Sequence, residues 1–152
     1  MELSLHLPSY RNHLKIRTTR DRHEIWDPIR RKYVPMTPEE IVRQLFIHFL
    51  LAEQKTTRTR ISVERQITVF GQQRRYDLMI HDRTGAPLAL IEVKAPQITL
   101  SQAVLDQIAR YNLVTNVTYL IVTNGARTWC MQIDPVEQRV NYLSTIPDFN
   151  DE

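Results

Sequence analysis

Asp77, Glu92 and Lys94 interrupt two otherwise apolar runs, RYDLMIH and PLALIEVK, joined by the turn-forming DRTGA. Charged residues inside what reads as a buried hairpin are unfavourable unless they are paired or hold an ion. Two carboxylates with a lysine at this spacing are the set expected for metal-assisted phosphodiester hydrolysis. The carboxylates hold the cation, the cation lowers the pKa of a bound water, and the lysine orients that water or stabilises charge on the phosphate.

Side-chain parity says whether the three can meet. With Thr84 and Gly85 as the central turn residues, Asp77 lies directly across from Glu92. Tyr76, Leu78 and Ile80 then share an apolar face with Ala89, Ile91 and Val93. Asp77, Met79, His81, Leu88, Leu90, Glu92 and Lys94 take the other face. A slip of one residue would move Glu92 among the apolar set, so this register is favoured. Opposed residues have Cβ atoms about 4.5–5.5 Å apart, and like charges so placed repel. Either Lys94 or a bound Mg²⁺ answers that repulsion, the ion being one that takes one or two carboxylates together with phosphate oxygens. The plainer reading is a half-buried pair that Lys94 neutralises as a strut.

The rest of the chain bounds the setting for this chemistry. Its 152 residues are one domain's worth, and 42% hydrophobic with 24% charged residues is ordinary for a soluble protein. A net charge of +3 inclines it weakly toward polyanions such as nucleic acid. Cys130 stands alone, which excludes an internal disulfide framework and fits a reducing compartment. No signal-peptide pattern opens the sequence, and its longest apolar stretch, residues 45–52, is too short for a bilayer. A cytoplasmic chain without membrane contact is therefore expected. Gly71, Gly85 and Gly125 are the only glycines, so no phosphate-cradling glycine loop can be drawn, and the histidines lack metal-site spacing.

The elements that must position the three residues can be read in order. Residues 1–35 form a basic flap, with short strand-like pieces over 14–18 and 24–26. A helix is predicted over 38–53: Thr37 caps it, Pro38 suits its first position, and Glu40 closes a capping box. Ile41, Leu45, His48 and Phe49 supply its apolar stripe. Strands are predicted over 62–70, 76–81 and 88–94, with a turn at Gly71-Gln72-Gln73. A second helix over 100–112 has Thr99 and Gln102 set for another capping box. Strands over 117–123 and 127–133 flank Asn124-Gly125, a strong hairpin signal. The order α-βββ-α-ββ predicts a single α/β domain over residues 1–152. Its sheet should be mixed and flanked by helices, because a crossover helix implies a parallel pair.

Asp77, fourteen intervening residues and then Glu92-Val93-Lys94 resemble the PD-(D/E)XK nuclease signature, in which the aspartate and the E-x-K lie on adjacent strands. The blocks IWDPIRRKYVPMTPEEIVRQ, IEVKAP, DQIARYN and YLIVTNG, spread over residues 25–133, resemble the N-terminal nuclease domain of type I restriction enzyme R subunits. This resemblance implies a restriction-endonuclease-like core and a Mg²⁺- or Mn²⁺-dependent DNA endonuclease. Asp77 and Glu92 would be metal ligands, with the backbone carbonyl of Val93 a third, and Lys94 the catalytic lysine. Gln107 and Tyr111 match a Q-x-x-x-Y motif found downstream of the lysine in related nucleases. At i and i+4 they share a helix face, which a polar patch beside Val104 and Ile108 would explain as well. Glu39 and Glu40 fall where the first helix often supplies a carboxylate, although capping accounts for Glu40 equally.

Phosphates approaching the hairpin would meet Arg74 and Arg75, with Arg110 beyond. DNA is thus the expected partner, with other restriction-type subunits or a separate motor as further ones. The sequence holds no Walker motif, so ATP-driven translocation is not expected within this polypeptide. Two other readings stand beside the nuclease. One is a non-catalytic nucleic-acid-binding or assembly module on the same fold. The other is an interaction domain in which the ion pair is only a strut.

Overall fold

A computed structural model describes residues 1–152. The largest element is a six-stranded sheet ordered β4 (Ile61–Val69), β5 (Gln72–His81), β6 (Pro87–Val93), β7 (Tyr119–Thr123), β8 (Thr128–Asp134) and β9 (Arg139–Leu143). Every neighbouring pair is antiparallel except β6 and β7, which run parallel. A helix, α2 (Gln102–Asn112), makes the crossover between those two, as parallel pairing requires. The mixed sheet is the one expected from the element order.

Each face of the sheet has its own core. Leu45, Phe46, Phe49 and Leu50 of α1 (Pro38–Ala52) pack on Leu78, Ile80, Ala89, Ile91, Val93 and Ile121. Leu105 and Ala109 of α2 pack on Met79, Leu90, Leu120 and Val122. Strand alternation produces the division, sending successive side chains to opposite layers. Because both faces are covered, β6 and β7 read as continuous apolar runs.

The β5–β6 register is the one chosen by parity, with Leu78 paired to Ile91, Met79 to Leu90 and Ile80 to Ala89, but the ladder stops there and the expected Asp77–Glu92 pair is not formed. Two residues leave their expected faces, each at an irregularity. A register shift between Ile80 and His81 leaves Leu88 without a pairing partner, and it joins the α1 core. Tyr76 joins the α2 core, because β5 changes face at Asp77. The β4–β5 turn is Phe70-Gly71; Gln72 and Gln73 already belong to β5.

Three further expectations need correction. The order after α2 is three strands, not two, since the short, half-exposed β9 pairs with β8. Ser101, not Thr99, caps α2, its Oγ accepting from the Val104 N–H at 3.3 Å. The α1 capping box is half formed: Thr37 Oγ1 accepts from the Glu40 N–H at 3.1 Å, but the Thr37 N–H donates to the Pro35 carbonyl. The Glu40 carboxylate is directed elsewhere.

The basic N-terminal segment is folded. A 3₁₀ turn over Leu7–His13 precedes a separate antiparallel sheet of β1 (Ile16–Thr19), β2 (Arg22–Asp27) and β3 (Lys32–Pro35). Leu7, Ile25 and Val34 are buried, and the Leu3 N–H donates to the Thr128 carbonyl. No helix is long and apolar enough to cross a membrane.

The β7–β8 connection brings the sheet against α1. Gly125 has φ +92°, and a β-carbon there would meet Val42 Cγ2 at 3.1 Å. Gly125→Ala combines left-handed strain with a contact against a packed helix. It should lower the unfolding free energy by about 1–2 kcal/mol, measured by urea denaturation.

Candidate functional site

Asp77 sits where β5 parts from both neighbours. On the β4 side the ladder runs from Val63–Leu78 to Arg65–Tyr76, skipping Glu64, whose backbone is left-handed at φ +53°. On the β6 side the last pair is Leu78–Ile91. The Asp77 side chain takes over there. Its Oδ2 accepts from the Val93 N–H at 2.7 Å, where a backbone carbonyl would otherwise serve. The twist sends Tyr76 to the opposite layer, where its hydroxyl donates to Asn112 Oδ1 at 2.7 Å.

Glu92 and Lys94 follow at the end of β6. Burial raises the Glu92 pKa most; the Asp77 charge raises it further, Lys94 opposes, and Glu39 adds a small push upward. The two carboxylates are therefore electrostatically coupled, with Lys94 inside the same field. Lys94 has no ion-pair partner within 4 Å, and its backbone N–H donates to the Thr123 carbonyl. Its ammonium is not held as a strut.

Glu92, Lys94, Val104, Gln107, Ile108 and Tyr111 line one cleft of about 300 Å³. Four of the residues singled out from the sequence thus share a wall. α2 positions Gln107 and Tyr111 one turn apart, and its apolar residues Val104 and Ile108 form the cleft floor. Arg74 stacks its guanidinium 3.8 Å from the centre of the Tyr111 ring and also donates to the Tyr111 carbonyl. Arg75, its neighbour on β5, is exposed and by strand alternation points away from that ring. Val93 is buried, its N–H engaged by Asp77.

Glu40 lies on the α1 side of the sheet, in an ionic network. Its Oε1 accepts from Arg30 at 2.8 Å and from Arg43 at 2.9 Å, and its Oε2 from Gln44 at 3.2 Å. Arg30 is held in turn by Asp27 at 2.6 Å. Arg43 meets four carboxylates, with Glu39 and Glu64 at 3.7 Å and Asp77 at 3.4 Å besides Glu40. It is 5% exposed and Glu40 7%. No three His, Cys, Asp or Glu side chains converge into a ready-made metal cage. The acidic groups gather instead round a guanidinium.

Sequence reasoning passed over Asp27, Arg30, Arg43 and Glu64. A signal was present: Asp27 and Arg30, and Glu40 and Arg43, stand three residues apart within the one block IWDPIRRKYVPMTPEEIVRQ. Glu64 carried none, because nothing local announces its left-handed backbone.

A family model described as the type I restriction enzyme R protein N terminus (HSDR_N) matches residues 38–147, which take in α1, the whole six-stranded sheet and α2. The chain belongs to that family. It is thus a restriction-related domain, built on the mixed sheet with a helix on each face that the element order predicts. A solved fragment described as an HsdR subunit of a type I restriction enzyme from Vibrio vulnificus YJ016 is 20% identical, with a TM-score of 0.49. The alignment covers 72% of this chain and 23% of that one, so the chain spans less than a quarter of the solved fragment. No curated protein matches it significantly.

The electrostatics of the R-protein N-terminal site give two expected outcomes. Arg43→Met removes the one cation shared by four carboxylates and leaves the buried Glu40 with Arg30 as its only cation. Stability should fall by about 3–5 kcal/mol, the range for breaking a buried ion pair, read from chemical denaturation. For Glu92 the sign runs the other way. Its folded pKa is raised, so ionisation opposes folding as pH climbs through the ordinary carboxylate range and beyond. Glu92→Gln should melt higher than wild type at neutral pH, and the advantage should vanish below the ordinary carboxylate pKa. Thermal melts across pH check this.

Proposed function

We propose that this domain is a Mg²⁺- or Mn²⁺-dependent DNA endonuclease acting in restriction. One observation carries the reading. Glu92 and Lys94 share a cleft with Gln107 and Tyr111, and Asp77, coupled to Glu92, is pinned beside them at the point where β5 and β6 part.

The donor set fits a hard cation. Asp77 and Glu92 repel one another across the strand ends, and a divalent ion would relieve that repulsion. Mg²⁺ is commonly bound by one or two carboxylates plus substrate oxygens, so a complete protein cage is not required. Asp77, Glu92 and the Val93 carbonyl are the groups that would hold it. Bound there, the ion would neutralise phosphate charge and make water a stronger nucleophile.

The protein's own groups do the remaining work. Lys94, free of any ion pair, presents its ammonium to negative charge developing on the scissile phosphate. Gln107 and the Tyr111 hydroxyl offer hydrogen bonds to the DNA backbone along the same wall. Arg74 fixes the Tyr111 ring from behind. Arg43 and the Val93 N–H hold Asp77 in a single orientation, which limits the reorganisation needed when substrate arrives. Glu40 acts through Arg43 and is not among the residues that line the cleft. DNA is the substrate and other restriction subunits, including a separate motor, are the partners. All would meet in the cytoplasm, on one domain spanning residues 1–152.

Nicking of supercoiled plasmid tests the proposal. Wild type should convert it to open circle with Mg²⁺ or Mn²⁺ and not with EDTA. Lys94→Ala should lose at least a hundredfold in rate, as expected for a group acting in the transition state. It should melt within a few degrees of wild type, since Lys94 bridges no carboxylate. A wild type that binds DNA but never nicks it would instead be the assembly module.

A further inference from the structure

The β4–β5 hairpin outruns the sheet. Beyond Asp77, β5 has lost β6 and pairs with β4 alone, through five residue pairs from Arg65–Tyr76 to Val69–Gln72. At about 3.4 Å per residue this two-stranded ribbon extends about 17 Å past the site. Between Arg65 and Tyr76 there is no carboxylate; Arg65, Arg74 and Arg75 are the charged residues, joined by Gln66, Gln72 and Gln73.

The two faces of the ribbon differ. Ile67 and Tyr76 pack into the α2 core, Val69 is buried on the same face, and Arg74 ties the middle of the ribbon to Tyr111 on the cleft wall. Gln66, Thr68, Gln73 and Arg75 on the other face are all exposed.

At the tip stands Phe70, 87% exposed, with a left-handed backbone at φ +50°. Such a conformation is uncommon for a bulky side chain and is ordinarily given to Asn or Gly in a two-residue hairpin. Gly71 beside it has no neighbouring atom within 4 Å of where a β-carbon would lie, so the tip stands clear of the protein. Neither packing nor turn chemistry accounts for a phenylalanine there.

We propose that this ribbon is a duplex-DNA arm, with Phe70 inserted between stacked base pairs as a wedge. Three features select duplex DNA over an apolar protein surface. The flanking charge is wholly positive, the exposed face carries amides suited to base edges and phosphates, and Phe70 is the one fully exposed apolar side chain. A protein-docking hairpin would present an apolar face, whereas apolar wedges between base steps are how proteins partly unstack and kink a duplex. The arm is tied to Tyr111, so a kinked duplex would be steered toward the cleft. This inference rests on the reading of the domain as one that acts on DNA, but not on cleavage.

A 30-base-pair duplex carrying 2-aminopurine reports the wedge directly. The assay uses the full chain in EDTA, where no cutting is expected, with anisotropy for affinity and 2-aminopurine emission for unstacking. Wild type and Lys94→Ala should both raise the emission. Phe70→Ala should abolish the rise and bind roughly five- to a hundredfold more weakly, the loss expected for one aromatic–base contact. Phe70→Leu should keep part of both signals. The thermal melt of Phe70→Ala should match wild type, since the residue touches no core. The inference is overturned if Phe70→Ala binds and unstacks the duplex as wild type does. It is likewise overturned if wild type binds no duplex, or if the substitution changes only self-association in sedimentation. Failure of metal-dependent nicking, with the Phe70 effect intact, would remove the nuclease reading and leave the arm.

Discussion

A single buried guanidinium organises the carboxylates of this domain. Arg43 stands nearly out of solvent with Glu39, Glu40, Glu64 and Asp77 around it. An ion set of this kind must be satisfied on every side, because desolvating each charge is unfavourable and only close partners offset it. Arg30 and Asp27 therefore belong to the same structure: Arg30 links Glu40 to the fully buried Asp27, and Asp27 Oδ1 in turn accepts from the Ile29 and Arg30 N–H groups. Through this chain β2, α1, β4 and β5 are fixed relative to one another, and Asp77 is delivered to the end of β6.

The second constraint is geometrical. A strand leaves its neighbour only where something replaces the lost ladder bond, and the Asp77 carboxylate is that replacement for the Val93 N–H. Parting β5 from β6 does two things together. It opens space at the end of β6, where Glu92 and Lys94 meet α2, and it frees the distal half of β5 to run on with β4 as a separate ribbon. The cleft and the arm are two consequences of one departure from regular pairing. The left-handed Glu64 marks the same place on the β4 side.

Charge is distributed unevenly for a chain with a net +3. Carboxylates gather at the strand ends, while arginines without close acids lie on the distal hairpin; on the β1–β3 sheet Arg17 pairs with Glu24 at 2.9 Å. Lys15 sits over Trp26 at 5.6 Å and Arg17 over Tyr33 at 3.8 Å, so much of that basic surface is also ordered. A negative centre within a positive surround is what the proposed function would need, a polyanion drawn in with a cation between.

Much of this was legible in the sequence because it depends on short-range rules. The Pro38 start of α1 and its Thr37 cap follow from side-chain chemistry within one turn. The pairing of Leu78 with Ile91 follows from turn position and parity, since a slip of one residue would put Glu92 on the apolar face. Where local rules ran out, tertiary structure decided. Glu40 had a capping role open to it, but two arginines brought in from β2's end and from α1 itself offered stronger partners. Tyr76 and Leu88 broke parity because β5 turns at Asp77 and a bulge interrupts β6, and neither irregularity has a signature of its own. β9 is a short edge strand whose five residues lack clear alternation, and β8 alone makes it a strand. Arg43 was hidden for the same reason: in sequence it is one more charged residue on a helix, and its burial is set by four carboxylates, two of them distant along the chain. Residue types and spacing pointed to the family and to the chemistry proposed for it. The tertiary fold determined which charges are buried together, because desolvation depends on neighbours that sequence distance does not reveal.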